Sequence, residues 1–157
     1  MLLDENKFLQ VVESAPLVSI DLIVLDDQGR LLLGRRKNEP AAAYWFTPGG
    51  RVRKNERLEA AFRRISGDEL GKTFDIDEAR FLGVFEHHYP TNFMQATGVS
   101  THYIVLAFEL AVSGATLTMP AAQHDGYDWF DPQDIDSSPG VHPYVREYFS
   151  EGKGYRN

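Results

Sequence analysis

The stretch "PGGRVRKNERLEAAFRRISGDELG", residues 48–71, decides how this chain is read. A glycine pair opens it, the carboxylate of Glu56 follows, and Arg64 and the acidic pair Asp68–Glu69 come later. Those are the makings of a site for phosphate and metal. Yet apolar Ile65 and neutral Gly67 stand where a further carboxylate would be wanted. Helix formers dominate from Arg57 to Leu70, and Gly71 is the stop. At about 100° per residue, Leu58, Phe62, Ile65 and Glu69 share one stripe of that helix. A carboxylate on a buried face is costly unless it is paired, hydrogen-bonded or bound to a cation. Periodicity leaves a second reading open, in which Glu69, in the last turn, reaches past the core into water.

Around this helix the chain reads as strands. "PLVSIDLIVL" (16–25) is β-rich, and the turn "DDQG" (26–29) leads into "RLLLGRR" (30–36), which predicts a hairpin. "AYWFTPGG" (43–50) is a short strand broken by Pro48 and the glycines, and 79–89, 100–112 and 126–131 are further strands. "DENKFLQVVES" (4–14) forms an opening helix behind an acidic N-cap, and 141–151 a closing one. The expectation is one domain over residues 1–157, of α+β class: an α/β/α sandwich with a mixed sheet flanked by helices.

Composition narrows the function. The chain has no cysteine, so neither a disulfide framework nor thiolate chemistry is open to it. No apolar run approaches a membrane span and "MLLDENK" lacks the pattern of a signal peptide, so a cytoplasmic protein with no membrane partner is expected. Net charge is −7, but residues 30–64 hold ten of the sixteen Lys and Arg against three acids. A polynucleotide binder would be basic overall. A basic band on an acidic body suits a small anionic ligand, or is simply a solvated surface.

The segment from Gly50 resembles the box of the Nudix superfamily: Gly50, Glu56, Arg64, Asp68 (Glu to Asp), Glu69 and Gly71 match in register. Ile65 replaces the Glu after the Arg, Ser66 a hydrophobic residue, and Lys72 the last one. "PLVSIDLIV", "LLLGRR", "YWFTPGGRV", "LEAAF", "THY" and "QHDGYDWF" further resemble the branch of GDP-mannose mannosyl hydrolases, in which the missing Glu is typical. The resemblance implies a Nudix fold, a homodimer, and one Mg²⁺ per subunit, with Mn²⁺ able to substitute. The ion would be held by the Gly49 carbonyl, Glu69 and Gln123.

It also implies hydrolysis of GDP-mannose, and of GDP-glucose, to GDP and free hexose by water attack at the sugar C1 with inversion. His124 is the general-base candidate, since histidine titrates near neutrality. Arg36 and Arg51 offer guanidinium charge to the phosphates. Tyr103 donates to the leaving group, and Asp21, set in an apolar strand, contacts the sugar. Leu2, Leu3 and Phe8 resemble positions that hold the guanine, although apolar packing of the opening helix explains them equally. His87 fits the branch in a supporting role. A metal site from the pair His87–His88 is disfavoured, because neighbours on a strand face opposite ways. Arg64 and Glu56 are read as structural or catalytic alike. Two alternatives stay open: a phosphorus-attacking pyrophosphohydrolase yielding GMP and sugar 1-phosphate, and a nucleotide-sugar-binding module without turnover.

Overall fold

The computed structural model describes residues 2–113, 117 and 124–156. Its sheet grows around β1 (Leu17–Leu25), whose near-continuous apolar run is buried on both faces. Alternation splits that strand between two cores. Ile20, Leu22 and Val24 pack with Ala61, Phe62, Ile65 and Leu70 of the helix after the glycine pair. Ile23 joins Leu31, Leu33, Phe85, Val105, Val145 and Tyr148 on the opposite side.

The opening helix, α1 (Glu5–Ser14), starts where Asp4 caps it by accepting from the Lys7 N–H at 2.9 Å. The helix of the decisive stretch, α2 (Leu58–Leu70), ends at Gly71, whose φ of 70° is the left-handed stop expected of glycine. Between them lie β2 (Leu31–Arg36), β3 (Trp45–Phe46) and β4 (Gly49–Arg51). After α2 come β5 (Arg80–Tyr89), β6 (Thr101–Ala111), β7 (His124–Phe130), α3 (Pro143–Glu147) and β8 (Tyr155–Arg156).

The strand order is β3-β2-β1-β6-β5-β8, with β4 on β1 and β7 on β2. β1 and β6 run parallel from Leu17↔Tyr103 to Leu25↔Ala111, whereas the other pairings between these strands are antiparallel. The sheet is therefore mixed, with helices against it, as expected.

Two expectations need correction. The hairpin of residues 16–36 is paired only at Leu25↔Leu31. Farther along β1 its neighbour is β4, from Ser19↔Arg51 to Asp21↔Gly49, and β2 pairs instead with β7. The closing helix is also shorter than residues 141–151. His142 caps it and Pro143 starts it, but Arg156 reaches back to the carbonyls of Glu147, Tyr148 and Ser150, satisfying by side chain what further helical turns would have satisfied.

Candidate active site

The glycine pair is an edge strand pressed between β1 and α2. A Cβ on Gly49 would stand 2.6 Å from the Ile20 carbonyl oxygen and 2.7 Å from Asp21 Oδ1. One on Gly50 would meet Ile65 Cγ1 at 3.0 Å. Neither position has room for a side chain without displacement. Ile65 is 1% exposed and packs in the α2 core, so an apolar wall stands behind Gly50.

The first half of the box is closed on itself. Arg64 donates from Nε and Nη2 to both Glu56 oxygens at 2.8 Å, and Nη2 also reaches the Arg51 carbonyl at 2.8 Å. Glu56 accepts in addition from the Arg53 N–H at 2.9 Å. The Arg64 hydrogen bonds hold the Glu56 carboxyl down at about 2. These two residues tie the turn before α2 to the end of β4, where Arg51 lies.

The other end of α2 is built oppositely. Glu69 is buried, so it does not reach past the core into water, and its Oε1 accepts from the Gly49 N–H at 3.4 Å. Burial pushes its carboxyl up to about 7. Asp21, on β1, is buried as well and rises to about 6 for the same reason, against opposing hydrogen bonds from the Tyr148 and Thr47 hydroxyls. The Arg36 charge acts on both carboxylates, and its Nε is anchored on the Pro40 carbonyl at 2.9 Å.

These groups line one cleft of about 850 Å³. It brings together Asp21, Arg36, Gly49, Arg51, Glu69, His87 and Tyr103 with Leu2, Leu3 and Phe8. Phe8 lies against Phe93, with ring centroids 4.9 Å apart, and the Arg51 guanidinium sits 4.7 Å from its centroid. The packing reading of α1 and its reading as a cleft wall thus hold together. His87 is 2% exposed, stacked on Tyr144 at 4.3 Å, and burial lowers its imidazole to about 3, so it is neutral near pH 7. Burial raises the Tyr103 hydroxyl, which keeps it a proton donor.

Gln123 lies outside the described residues. The backbone of His124 opens β7 opposite Arg36, which sets that residue beside a cleft-lining position. Thr47 and Tyr148 escaped the sequence reading. Buried Asp21 required a partner, but nothing in the local pattern named a hydroxyl 127 positions away.

The NUDIX domain model matches residues 15–151. The chain belongs to the Nudix family. Over 144 residues it is 40% identical to the "Low-salt glycan biosynthesis protein Agl8" of Haloferax volcanii, covering 92% of this chain and 86% of that protein. The fold is similar to a MutT NUDIX hydrolase from Burkholderia pseudomallei, with TM-score 0.69, 25% identity, and coverage of 89% of this chain and 100% of the other. It is similar also to the NUDIX domain of Shewanella oneidensis NrtR solved with ADP ribose, with TM-score 0.64, 18% identity, and coverage of 94% and 96%. Among the described residues no helix of this Nudix chain is long and apolar enough to cross a membrane.

Proposed function

We propose that this Nudix hydrolase cleaves GDP-mannose, and GDP-glucose, to GDP and free hexose by attack of water on the sugar C1. The observation that carries the reading is Ile65. Attack at phosphorus uses several carboxylates to collect activating ions, and here the position after Arg64 is apolar and 1% exposed. Asp68 points its side chain largely to solvent.

The oxygen donors present suit one hard cation. Glu69, the Gly49 carbonyl and Gln123 would hold Mg²⁺, and the raised carboxyl of buried Glu69 fits a group ionised by a nearby cation. Bound there, the ion supplies positive charge to the diphosphate leaving group.

The chain's own groups supply the rest. Arg36 and Arg51 hold phosphate oxygens, and the Tyr103 hydroxyl donates to the departing diphosphate. Asp21, fixed by Thr47 and Tyr148, accepts from sugar hydroxyls, and His124 takes the proton of the attacking water. The greasy wall of Phe8, Leu2 and Leu3 receives the base. The glycan-related name of the Haloferax volcanii relative is in keeping with a sugar-nucleotide substrate.

Hydrolysis in ¹⁸O-water tests the assignment. Carbon attack places label in the sugar, first as the β anomer from an α-linked substrate, and none in GDP. Label in a phosphate product would move attack to phosphorus, and an intact substrate would leave a binding module.

A further inference from the structure

On the back of the strand pair that walls the cleft lies a second group of metal-ligating side chains. His87 and Tyr103 face the cleft, so the alternation of a strand turns Glu86, His88 and His102 the other way. His88 and His102 are direct cross-strand partners of β5 and β6, with rings stacked at 4.2 Å. Glu86 joins from two residues along, its Oε2 3.8 Å from His88 Nε2. One ligand atom from each of the three lies within 4.8 Å of the others. His102 Nε2 is buried and has no hydrogen-bond partner among the described residues. An imidazole nitrogen withdrawn from water without a partner is costly, and a metal bond removes that cost.

We propose that Glu86, His88 and His102 form a second metal site, selective for a d-block divalent cation of the Zn²⁺ type. Two imidazoles and a carboxylate are the donor set such ions favour, whereas Mg²⁺ asks for oxygen alone. Bonds of about 2.0–2.1 Å set tetrahedral ligand atoms roughly 3.3 Å apart. Glu86 and His88 are exposed and can close the difference by side-chain rotation. The backbone beneath is already fixed, for the Tyr144 hydroxyl accepts from the His88 N–H at 3.0 Å and donates to its carbonyl at 2.9 Å. Three protein ligands leave one coordination position to water. The site is independent of Glu69 and of the hydrolytic reading, and an ion in it ties together the two strands that carry His87 and Tyr103.

Calorimetric titration of Zn²⁺ into the metal-stripped chain, with excess Mg²⁺ present, tests the site. One equivalent should bind to wild type and equally to Glu69→Gln. His88→Ala and His102→Gln should each weaken that binding by about tenfold or more. In the wild type, the ring ¹⁵N resonances of His88 and His102 should shift with the added ion. Unchanged Zn²⁺ binding in His88→Ala, or its loss in Glu69→Gln, would overturn the proposal. Because His88 is exposed, His88→Ala should unfold at the wild-type temperature in EDTA, which separates a lost site from a lost fold.

Discussion

The turn that leads into α2 and the last turn of that helix handle their carboxylates in opposite ways. In the first Glu56 meets Arg64 in a two-point ion pair and is held at about 2; in the second Glu69 is buried and raised to about 7. Both belong to one motif, and both are withdrawn from water. The difference teaches which carboxylate the fold uses for itself. Glu56 stabilises the turn before α2, whereas Glu69 is buried with a raised carboxyl, the condition that suits its proposed role as a cation ligand.

The sharpest way to break this comparison is to neutralise each acid in turn. On the proposed function, Glu69→Gln should reduce turnover of GDP-mannose by about a hundredfold or more while the chain still folds, since an amide replaces a buried carboxyl of equal size. Near-normal kcat at saturating Mg²⁺ would erase the functional contrast. Glu56→Gln should act on stability instead. It leaves a part-buried Arg64 short of its charged acceptor and should cost about 1.5–3 kcal/mol in denaturant unfolding, with a smaller fall in kcat than Glu69→Gln.

Titration sharpens the same contrast, because the two shifts have opposite sign. Glu56 lies below its ordinary 4.5, so its contribution is complete above that pH and is lost as pH falls towards about 2. Glu69 lies above, so metal-free protein holds its favourable contribution at low pH and loses it as pH rises from 4.5 through about 7. Melting temperatures in EDTA should therefore show Glu56→Gln flatter than wild type on the acid limb and Glu69→Gln flatter on the neutral limb. Parallel curves for both variants would remove the distinction. The smallest effect belongs to Arg63→Ala, which breaks a pair with Asp75 on the exposed side of the same helix. Its unfolding free energy should change by less than about 1 kcal/mol, marking what an exposed pair contributes beside the Glu56–Arg64 pair.

What the sequence made legible was local. The stop at Gly71, the cap at Asp4 and the apolar run of β1 rest on periods of a few residues, and they stand as read. The α2 stripe holds at Phe62, Ile65 and Glu69 but not at Leu58, which is exposed in the first turn, while Ala61, Ser66 and Leu70 complete the buried face. The cleft members were found through motif resemblance, and the fold gathers ten of them along one cleft. Illegible were the pairings between distant segments. The preference of β2 for β7, the hydroxyl of Tyr148 on Asp21 and the meeting of His88 with His102 each join residues whose separation no window spans. The rejection of His87 with His88 as a metal pair was sound on strand geometry, but the same geometry hands His88 a different partner across the ladder.

The outer margin of β5 has a consequence for how copies of the molecule meet. An unpaired strand margin invites a neighbour's strand to continue the sheet, the first step towards aggregates. Here β8 occupies the margin at Gly83 and Val84, and the Tyr144 hydroxyl occupies both backbone groups of His88. A Cβ at Gly83 would stand 2.6 Å from the Tyr155 carbonyl oxygen, so glycine is what lets the last strand come this close. The chain thereby supplies its own stopper: two residues of strand and one phenol occupy backbone groups that the strand of a second copy would otherwise pair with.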